Sequence, residues 1–411
     1  MTPEVKERIE QIRNGNVPEG YKKVKTRVIP QEWTYEVLAP YLIQHHEVSD
    51  YSNQYPVLTS SRKGIFLQSD YYNKEIASED NTGYNVVPRG YFTYRHMSDD
   101  EVFRFNINTI VDKGIVSTLY PVFTTSERID DVFLRELLNG GSDFQRYAIL
   151  QKQGGSRTYM YFDKLKKLTL PIPPLEEQSR IANILTVQDK VVELKEKLLT
   201  AKLQQKKYLM QQLLAGKKRL SGFDGGWMYV RANQIFKNVI DKKHNGTLEV
   251  LSATQDQGII PRSQVDIDIK YAEESLTGYK KVVKGNFVIS LRSFQGGIEY
   301  SEHTGIVSPA YTVLTSMCPI EDGYYKQFFK STDYINRLNI AVYGIRDGKQ
   351  ISYDDFGRIM IPYPPLEEQK AIATVLATAD KEIEILKRAV EQEKQKKKAL
   401  MQLLLTGIVR V

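Results

Sequence analysis

The residues of this chain best suited to chemistry are cations and amides set on glycine-flexed loops. Arg292-Ser293-Phe294-Gln295 follows a predicted strand and precedes Gly296-Gly297. Tyr343-Gly344-Ile345-Arg346-Asp347-Gly348-Lys349 is a second loop of this kind. In the first half of the chain the counterparts are Tyr94-Arg95-His96 and Gly154-Gly155-Ser156-Arg157-Thr158-Tyr159, and Arg62 and Lys63 match Arg262 on a further pair of loops. Arg, Lys, Asn and Gln on a positioned loop can read base edges, while neighbouring cations hold phosphates. The candidate set for contact with a nucleic acid is therefore Arg62, Lys63, Arg95, Arg157, Tyr159, Arg262, Arg292, Gln295, Tyr343, Arg346 and Lys349. For any one of them a solvated loop charge is an equal reading.

Signals for turnover are missing. The phosphate-loop pattern needs Gly-x-x-x-x-Gly-Lys-Ser/Thr; Gly344-Ile-Arg-Asp-Gly348-Lys349-Gln350 is one residue short and lacks the hydroxyl. Pro362-Tyr-Pro-Pro365 has a faint likeness to the Asn-Pro-Pro-Tyr motif of amino-methyltransferases, without the Asn or Asp that would accept bonds from a target amine. His45 and His46 are adjacent and have no ligand partner at metal spacing. The single cysteine, Cys318, excludes a disulfide framework and a multi-Cys zinc site. No Ser/His/Asp or paired-carboxylate constellation stands out, so no catalytic residue, metal ligand or cofactor site is assigned. What the residues favour is a non-catalytic scaffold that carries readers.

Composition agrees with that class. The chain has 411 residues, a net charge of +7 and a pI near 9.0, compatible with a polyanionic partner without demanding one. It offers no apolar run of membrane-spanning length. The start, Met1-Thr2-Pro3-Glu4-Val5-Lys6-Glu7, is charged and lacks the apolar stretch of a secretory signal. A cytoplasmic protein with no membrane association is expected.

The elements that must position these loops are set by an internal duplication. Pro173-Pro174-Leu175-Glu176-Glu177-Gln178 recurs as Pro364-Pro365-Leu366-Glu367-Glu368-Gln369. Leu209-Met210-Gln211 before Gly216 recurs as Leu400-Met401-Gln402 before Gly407. Pro174 to Pro365 and Gly216 to Gly407 are both 191 residues apart, so the whole run is one ungapped repeat. The globular stretches between repeat more loosely. Gly83-Tyr84, Gly90 and Phe92 match Gly278-Tyr279, Gly285 and Phe287, and Gly114-Ile-Val-Ser117 matches Gly305-Ile-Val-Ser308. Scaffold residues match while the loops between them differ, as two readers of unlike specificity would, or as loops that drifted because nothing reads them. Short aromatic and β-branched runs such as Gly64-Ile-Phe-Leu67 and Tyr120-Pro-Val-Phe123 read as strands. Helical patterns follow near 129–139 and 144–151. The class is α+β, with sheets mostly not wound as βαβ units.

Five segments follow: an N-terminal helix at 1–17, a first globular domain at 18–165, a first helical region at 166–220, a second globular domain at 221–356 and a second helical region at 357–411. The N-terminal helix, with Val5, Ile9 and Ile12 on one face, reads either as a fragment of the repeat's tail or as an ordinary helix. Each long helix is expected to start at the last proline of its lead-in, where a missing N–H costs nothing. Acids stand in the first turn, at the positive end of the dipole. Apolar residues then recur at steps of three and four: Ile184, Val187, Val191, Leu194, Leu198 and Ala201 in the first helix, and Ile372, Leu376, Ala379, Ile383, Leu386 and Val390 in the second. Such stripes need a partner. An antiparallel coiled coil of the two helices is the simplest solution, with each helix docked on its own globular domain as the alternative.

The doubled Pro-Pro-Leu-Glu-Glu-Gln openings, their continuations Arg180-Ile181-Ala182 and Lys370-Ala371-Ile372-Ala373, and the doubled Leu-Met-Gln-x-Leu-Leu ends resemble the specificity (S) subunits of type I restriction–modification systems along the whole chain. The resemblance implies two target recognition domains held apart by an antiparallel pair of conserved-region helices in a pseudo-twofold, circular arrangement. It implies no catalysis by this chain. It implies binding to double-stranded DNA with a bipartite target, and to two methyltransferase subunits that use S-adenosylmethionine. It also allows restriction subunits that hydrolyse ATP with Mg. Two rivals stay open: a coiled-coil adaptor that binds no DNA, and a stand-alone DNA-modifying enzyme.

Overall fold

The computed structural model describes residues 2–71, 80–152, 155–255, 257–265, 273–341 and 351–411. It forms two compact units: Met1–Lys195 with Ala389–Val411, and Glu196–Arg388. The two long helices, Leu175–Leu213 and Leu366–Leu404, have the same length of 39 residues. Each unit contains the first part of one and the last part of the other. Among the described residues no helix is long and apolar enough to cross a membrane.

The globular parts are built on one plan. The first unit has a four-stranded antiparallel sheet in the order Asn106–Ile107, Phe92–Thr93, Val122–Thr125, Leu42–His45. The second has Glu299–Tyr300, Phe287–Ile289, Thr312–Ser316, Phe236–Val239 in the same order. The ladder of Asn85–Pro88 with Lys113–Val116 corresponds to that of Lys280–Val282 with Gly305–Val307. The hairpin of Leu58–Ser61 and Gly64–Leu67 corresponds to that of Leu251–Thr254 and Gly258–Pro261. Gly114 and Gly305 stand at matching points because neither has room for a side chain. A Cβ on Gly114 would meet Leu58 Cδ1 at 2.5 Å, and one on Gly305 would collide with the Glu249 carbonyl. The first unit adds a small ladder of Met97–Ser98 with Thr158–Tyr159. No described ladder of the second unit corresponds to it.

The proline lead-ins are strands, as their extended bias requires. Thr169–Ile172 pairs with Thr34–Val37, and Met360–Tyr363 pairs with Met228–Arg231. Helix follows at once, with Pro174 O and Pro365 O accepting from Gln178 N and Gln369 N at 3.0 Å. In each repeated motif the three polar residues then divide their work. Glu176 and Glu367 stay at the surface beside Arg180 and Lys370. Glu177 and Glu368 are buried. Glu177 accepts from Trp33 Nε1 at 2.9 Å and from Arg410 Nε at 2.6 Å. Glu368 accepts from Trp227 Nε1 at 2.8 Å and Arg219 Nη2 at 2.6 Å. Gln178 accepts from Asp130 N at 2.8 Å and donates to Pro173 O at 2.9 Å. Gln369 does the same with Glu321 N at 2.9 Å and Pro364 O at 2.8 Å. Asp130 and Glu321 are the N-caps of Asp131–Gly140 and Asp322–Phe328, so one glutamine ties each long helix to a helix of its globular domain. Both first-turn acids stand at the positive end of the dipole as expected, and the inner one of each pair also anchors a buried hydrogen-bonded site.

The cores are correspondingly alike. Ile181, Leu185, Leu404 and Leu405 join Trp33, Phe92, Tyr94, Phe105, Phe123 and Phe133 in the first unit. Ile372, Leu376, Leu213 and Leu214, each 191 residues from its counterpart, join Phe236, Phe287, Tyr324, Tyr325 and Phe329 in the second. The antiparallel course of the helices is read within each unit. In the first, Gln188 Nε2 and Lys195 Nζ reach Glu393 at 2.9 and 2.8 Å, and Lys397 Nζ reaches Asp189 at 2.6 Å. In the second, Lys202 reaches Glu382 at 2.8 Å and Lys206 reaches Asp380 at 2.5 Å. Helix pairing and domain docking, posed as alternatives, occur together.

On the second long helix the buried stripe runs through Leu376, Ile383 and Val390, with Leu386 half-buried. On the first it is displaced by one residue, which corrects the sequence-based stripe. Leu194 and Leu198 are 55% and 47% exposed. Ile184 is half-buried against the aromatic core of the first unit, and Val191 is half-buried. The inward positions are Ile181, Leu185, Gln188, Val192, Lys195, Leu199, Lys202 and Lys206. Lysine stems can cover apolar surface while their ammonium groups reach carboxylates. A pattern that counts apolar types alone therefore slides to the neighbouring stripe. Leu376→Ala should cost about 2–5 kcal/mol, as buried leucine truncations do. Leu198→Ala should stay within ~0.5 kcal/mol. Denaturant unfolding of both variants checks the register, and the reverse order of losses would overturn it.

Candidate nucleic-acid interface

In the first unit three of the loops marked by sequence meet. The tip of the hairpin formed by Leu58–Ser61 and Gly64–Leu67 carries Arg62 and Lys63, both exposed. Arg62 forms a two-pronged pair with Asp100, Nη1 to Oδ2 at 2.9 Å and Nη2 to Oδ1 at 2.6 Å. Asp100 also accepts from Ser98 Oγ at 2.9 Å. The Arg62 hydrogen bond, then that of Ser98, holds the Asp100 carboxyl down to about 2. Arg157 Nε reaches the adjacent Asp99 at 2.8 Å. Arg95 is exposed beside the fully buried Tyr94, whose hydroxyl donates to Met160 O at 3.0 Å.

The added ladder places aromatic rings beside these cations. Tyr159 and Tyr161 stack at 5.8 Å with planes 11° apart, and His96 stacks on Tyr161 at 5.1 Å. Tyr159 is 37% and Tyr161 51% exposed. Met160 between them is buried, so the two tyrosines face outward by strand alternation. Tyr161, Asp99 and Asp100 escaped the sequence reading. The alternation Tyr-Met-Tyr was a usable signal for Tyr161. Nothing local distinguished Asp99-Asp100 from other surface acids.

In the second unit the first strand of the corresponding hairpin ends at Thr254 and the second begins at Gly258, so Arg262 is not the counterpart of Arg62. It follows the second strand, is half-buried, and its Nε donates to Ser252 Oγ at 3.1 Å. The expected match of Arg62 and Lys63 with Arg262 is corrected on that ground: four-residue strands put the two positions at opposite ends of their hairpins. Arg292 and Gln295 are exposed on and just before the short helical turn Ser293–Gly296. Gly296 lies so close to Gln255 of the hairpin that a Cβ would meet its Cγ at 2.7 Å. Lys330 Nζ ties the two by bonds to Gln255 O at 3.1 Å and Gly296 O at 2.9 Å. Hairpin and neighbouring loop thus meet in both units, through the Arg62–Asp100 pair in one and through an amide, a glycine and a lysine in the other. Tyr343, Arg346 and Lys349, with Gly154 of the first-unit loop, lie outside the described residues.

A matched pair of clefts lies at the ends of the long helices. One of about 450 Å³ in the first unit lies between the end of the second long helix and the junction of Asp131–Gly140 with Ser142–Leu150. One of about 260 Å³ in the second unit lies between the end of the first long helix and the junction of Asp322–Phe328 with Thr332–Ala341. Lys397, Lys398, Met401 and Leu405 line the former, and Lys206, Lys207, Met210 and Leu214, each 191 residues earlier, line the latter. Among the described residues no group of three His, Cys, Asp or Glu could hold a metal ion.

Comparison with known proteins accounts for this doubled plan. Residues 122–205 and 225–393 match the family described as the type I restriction modification DNA specificity domain. The chain is 25% identical to the putative type I restriction enzyme MjaX specificity subunit of Methanocaldococcus jannaschii, over 96% of this chain and 97% of that one. It is 28% identical to the MjaVIII specificity subunit of the same organism, over 73% and 75%. A solved chain from work on complex assembly and conformational transition of the type I R-M system superposes with a TM-score of 0.56 at 19% identity, covering 93% of this chain and 99% of that one. The S subunit from M. genitalium superposes at 0.52 and 14% identity, covering 90% and 96%. This chain belongs to the type I restriction–modification DNA specificity family.

The Arg62–Asp100 pair can be tested by titration. A carboxyl depressed from 3.8 to about 2 contributes fully above its ordinary value and loses its contribution as pH falls through about 2. The pair should thus be intact at pH 5. Carboxyl-carbon NMR should place the Asp100 midpoint near 2 in the native chain, and Arg62→Ala should move it up toward 3.8. An unmoved midpoint would show that Arg62 is not the cause.

Proposed function

We propose that this chain is the sequence-reading subunit of a type I restriction–modification complex, binding a bipartite double-stranded DNA target with one half-site for each recognition domain. The observation that carries this is the contrast between the two units. Their ladders and helix anchors correspond, while the surface where hairpin meets loop differs in charge, aromatic content and extra strands. A common scaffold with unlike reading surfaces is what an asymmetric bipartite target requires. The chain itself performs no catalysis in this reading. S-adenosylmethionine belongs to two methyltransferase subunits, and ATP with Mg to restriction subunits where these join, all in the cytoplasm. The two repeat-related clefts support a partner present in two copies, because like surfaces bind like elements.

The long helices act as the ruler between the half-sites. A heptad inserted in each, within Glu196–Gln205 and at the equivalent 387–396, preserves the seam and adds about 10 Å at about 1.5 Å per residue. Methylome sequencing should then show a gap longer by roughly three base pairs at ~3.4 Å each, with both half-sites unchanged. An unaltered gap would defeat the ruler. Arg292→Ala should relax the second domain's half-site alone, by about 1–3 kcal/mol for a lost bidentate contact. A uniform loss across sequences would reassign Arg292 to a phosphate. The adaptor reading predicts no salt-dependent DNA affinity of the assembled complex. The enzyme reading predicts methyl transfer by the purified chain alone.

A further inference from the structure

The acids of the first reading surface stand where they would compete with DNA. Asp99 and Asp100 are consecutive, exposed, and each engages a different arginine from a different loop. A guanidinium fork fits a carboxylate and a phosphate in the same bidentate geometry. The acids are themselves held in place. Met97–Ser98 is laddered to Thr158–Tyr159, and Ser98 Oγ fixes Asp100. The stacked Tyr159, Tyr161 and His96 border the same ladder, so its outer surface combines cations and exposed rings, as a nucleic-acid contact does.

Resting on the DNA-reading role above, we propose that Asp99 and Asp100 are internal stand-ins for backbone phosphates. They hold Arg157 and Arg62 in the poses used on DNA and yield them only to a phosphate that displaces a carboxylate. The consequence is specificity. Any DNA must compete with the two carboxylates. A duplex that also satisfies the base-reading contacts offsets that competition, and a random duplex does not. The acids therefore lower non-specific affinity more than target affinity. Tyr161 and His96 are assigned to the same surface as contact residues.

The test uses the chain assembled with its methyltransferase partners and two short duplexes. One has random sequence, and the other carries the motif that methylome sequencing shows to be modified. Asp99→Asn and Asp100→Asn should each tighten random-duplex binding about two- to fivefold, the range of an exposed ion pair. Each should steepen the salt dependence by up to ~0.9 in log–log slope for the freed arginine. Target-duplex binding should tighten less, so the ratio of the two affinities falls. Asp112→Asn is the control. It removes the same charge from a different pair in the same unit, with Arg89. An unchanged random-duplex affinity and slope in both Asp99→Asn and Asp100→Asn would overturn the proposal. So would an equal effect of Asp112→Asn, which would reduce it to net charge. Failure of the unsubstituted complex to bind either duplex would strike the DNA-reading role itself and is distinguishable from both results. Tyr161→Ala should weaken target binding at least as much as random binding, and no effect on either would remove Tyr161 from the surface.

Discussion

A buried carboxylate at the head of each long helix is the constraint that organises the rest. Glu177 and Glu368 lie where a lone charge would be costly, and each is matched by an indole N–H and a guanidinium. The three groups come from separate stretches of chain. The glutamate opens a helix, the tryptophan comes from the lead-in to a globular domain, and the arginine follows the end of the other long helix. Leaving any of them out strands a buried polar group. Donating to Glu177 and Glu32 in turn holds the Arg410 guanidinium well above its ordinary pKa, and donating to Glu368 raises that of Arg219. The motif therefore fixes which helix end meets which domain face, and does so with polar geometry that a shifted register cannot reproduce.

The seam uses a second polar device. Gln188, Lys195, Lys202 and Lys206 take inward positions on the first long helix where apolar residues would be the default, and each finds a carboxylate or carboxylate-bound neighbour on the second. The Lys195 hydrogen bond, then that of Gln188, lowers the Glu393 pKa. Apolar seams tolerate sliding, whereas polar seam residues specify register and orientation at some cost in stability. Val187, Leu194 and Leu198 instead stay exposed.

Much of this was legible in the sequence, for a physical reason. The run 174–216 recurs without a gap at an offset of 191 residues and keeps its internal spacing, so the helix ends and the proline lead-ins were readable from type and spacing, and the looser repeat of the globular stretches showed the matching glycines. The second helix's seam was legible because its inward residues are apolar. The first helix's was not, because hydrophobic periodicity is blind to a lysine that buries its stem. The cluster of loops in the first unit was legible only in part. Cations on glycine-bearing loops located Arg62, Arg157 and Tyr159, but the partners that restrain the arginines, Asp99 and Asp100, are defined by tertiary proximity across tens of residues. The hairpin positions of Arg62 and Arg262 looked equivalent because their neighbouring glycines and strands align, yet the turn falls elsewhere.

Circularity gives the two units different chain histories. The second is one continuous stretch, Glu196–Arg388, and its Arg219, Trp227 and Glu368 all lie inside it. The first needs Ala389–Val411 to close. Leu404 and Leu405 fill its core, and Arg410 completes the Glu177 site. Tyr21 hydroxyl donates to Gly407 O at 2.7 Å, and Arg8 Nη1 to Ile408 O at 2.6 Å. The loop closed by these contacts is almost the whole chain, yet closure entropy grows only with the logarithm of loop length. Prior folding of the intervening unit shortens the effective loop further. A design that splits one domain around another is therefore thermodynamically mild. It also lets two successive copies of a linear repeat supply each domain with a helix head from one copy and a helix tail from the other.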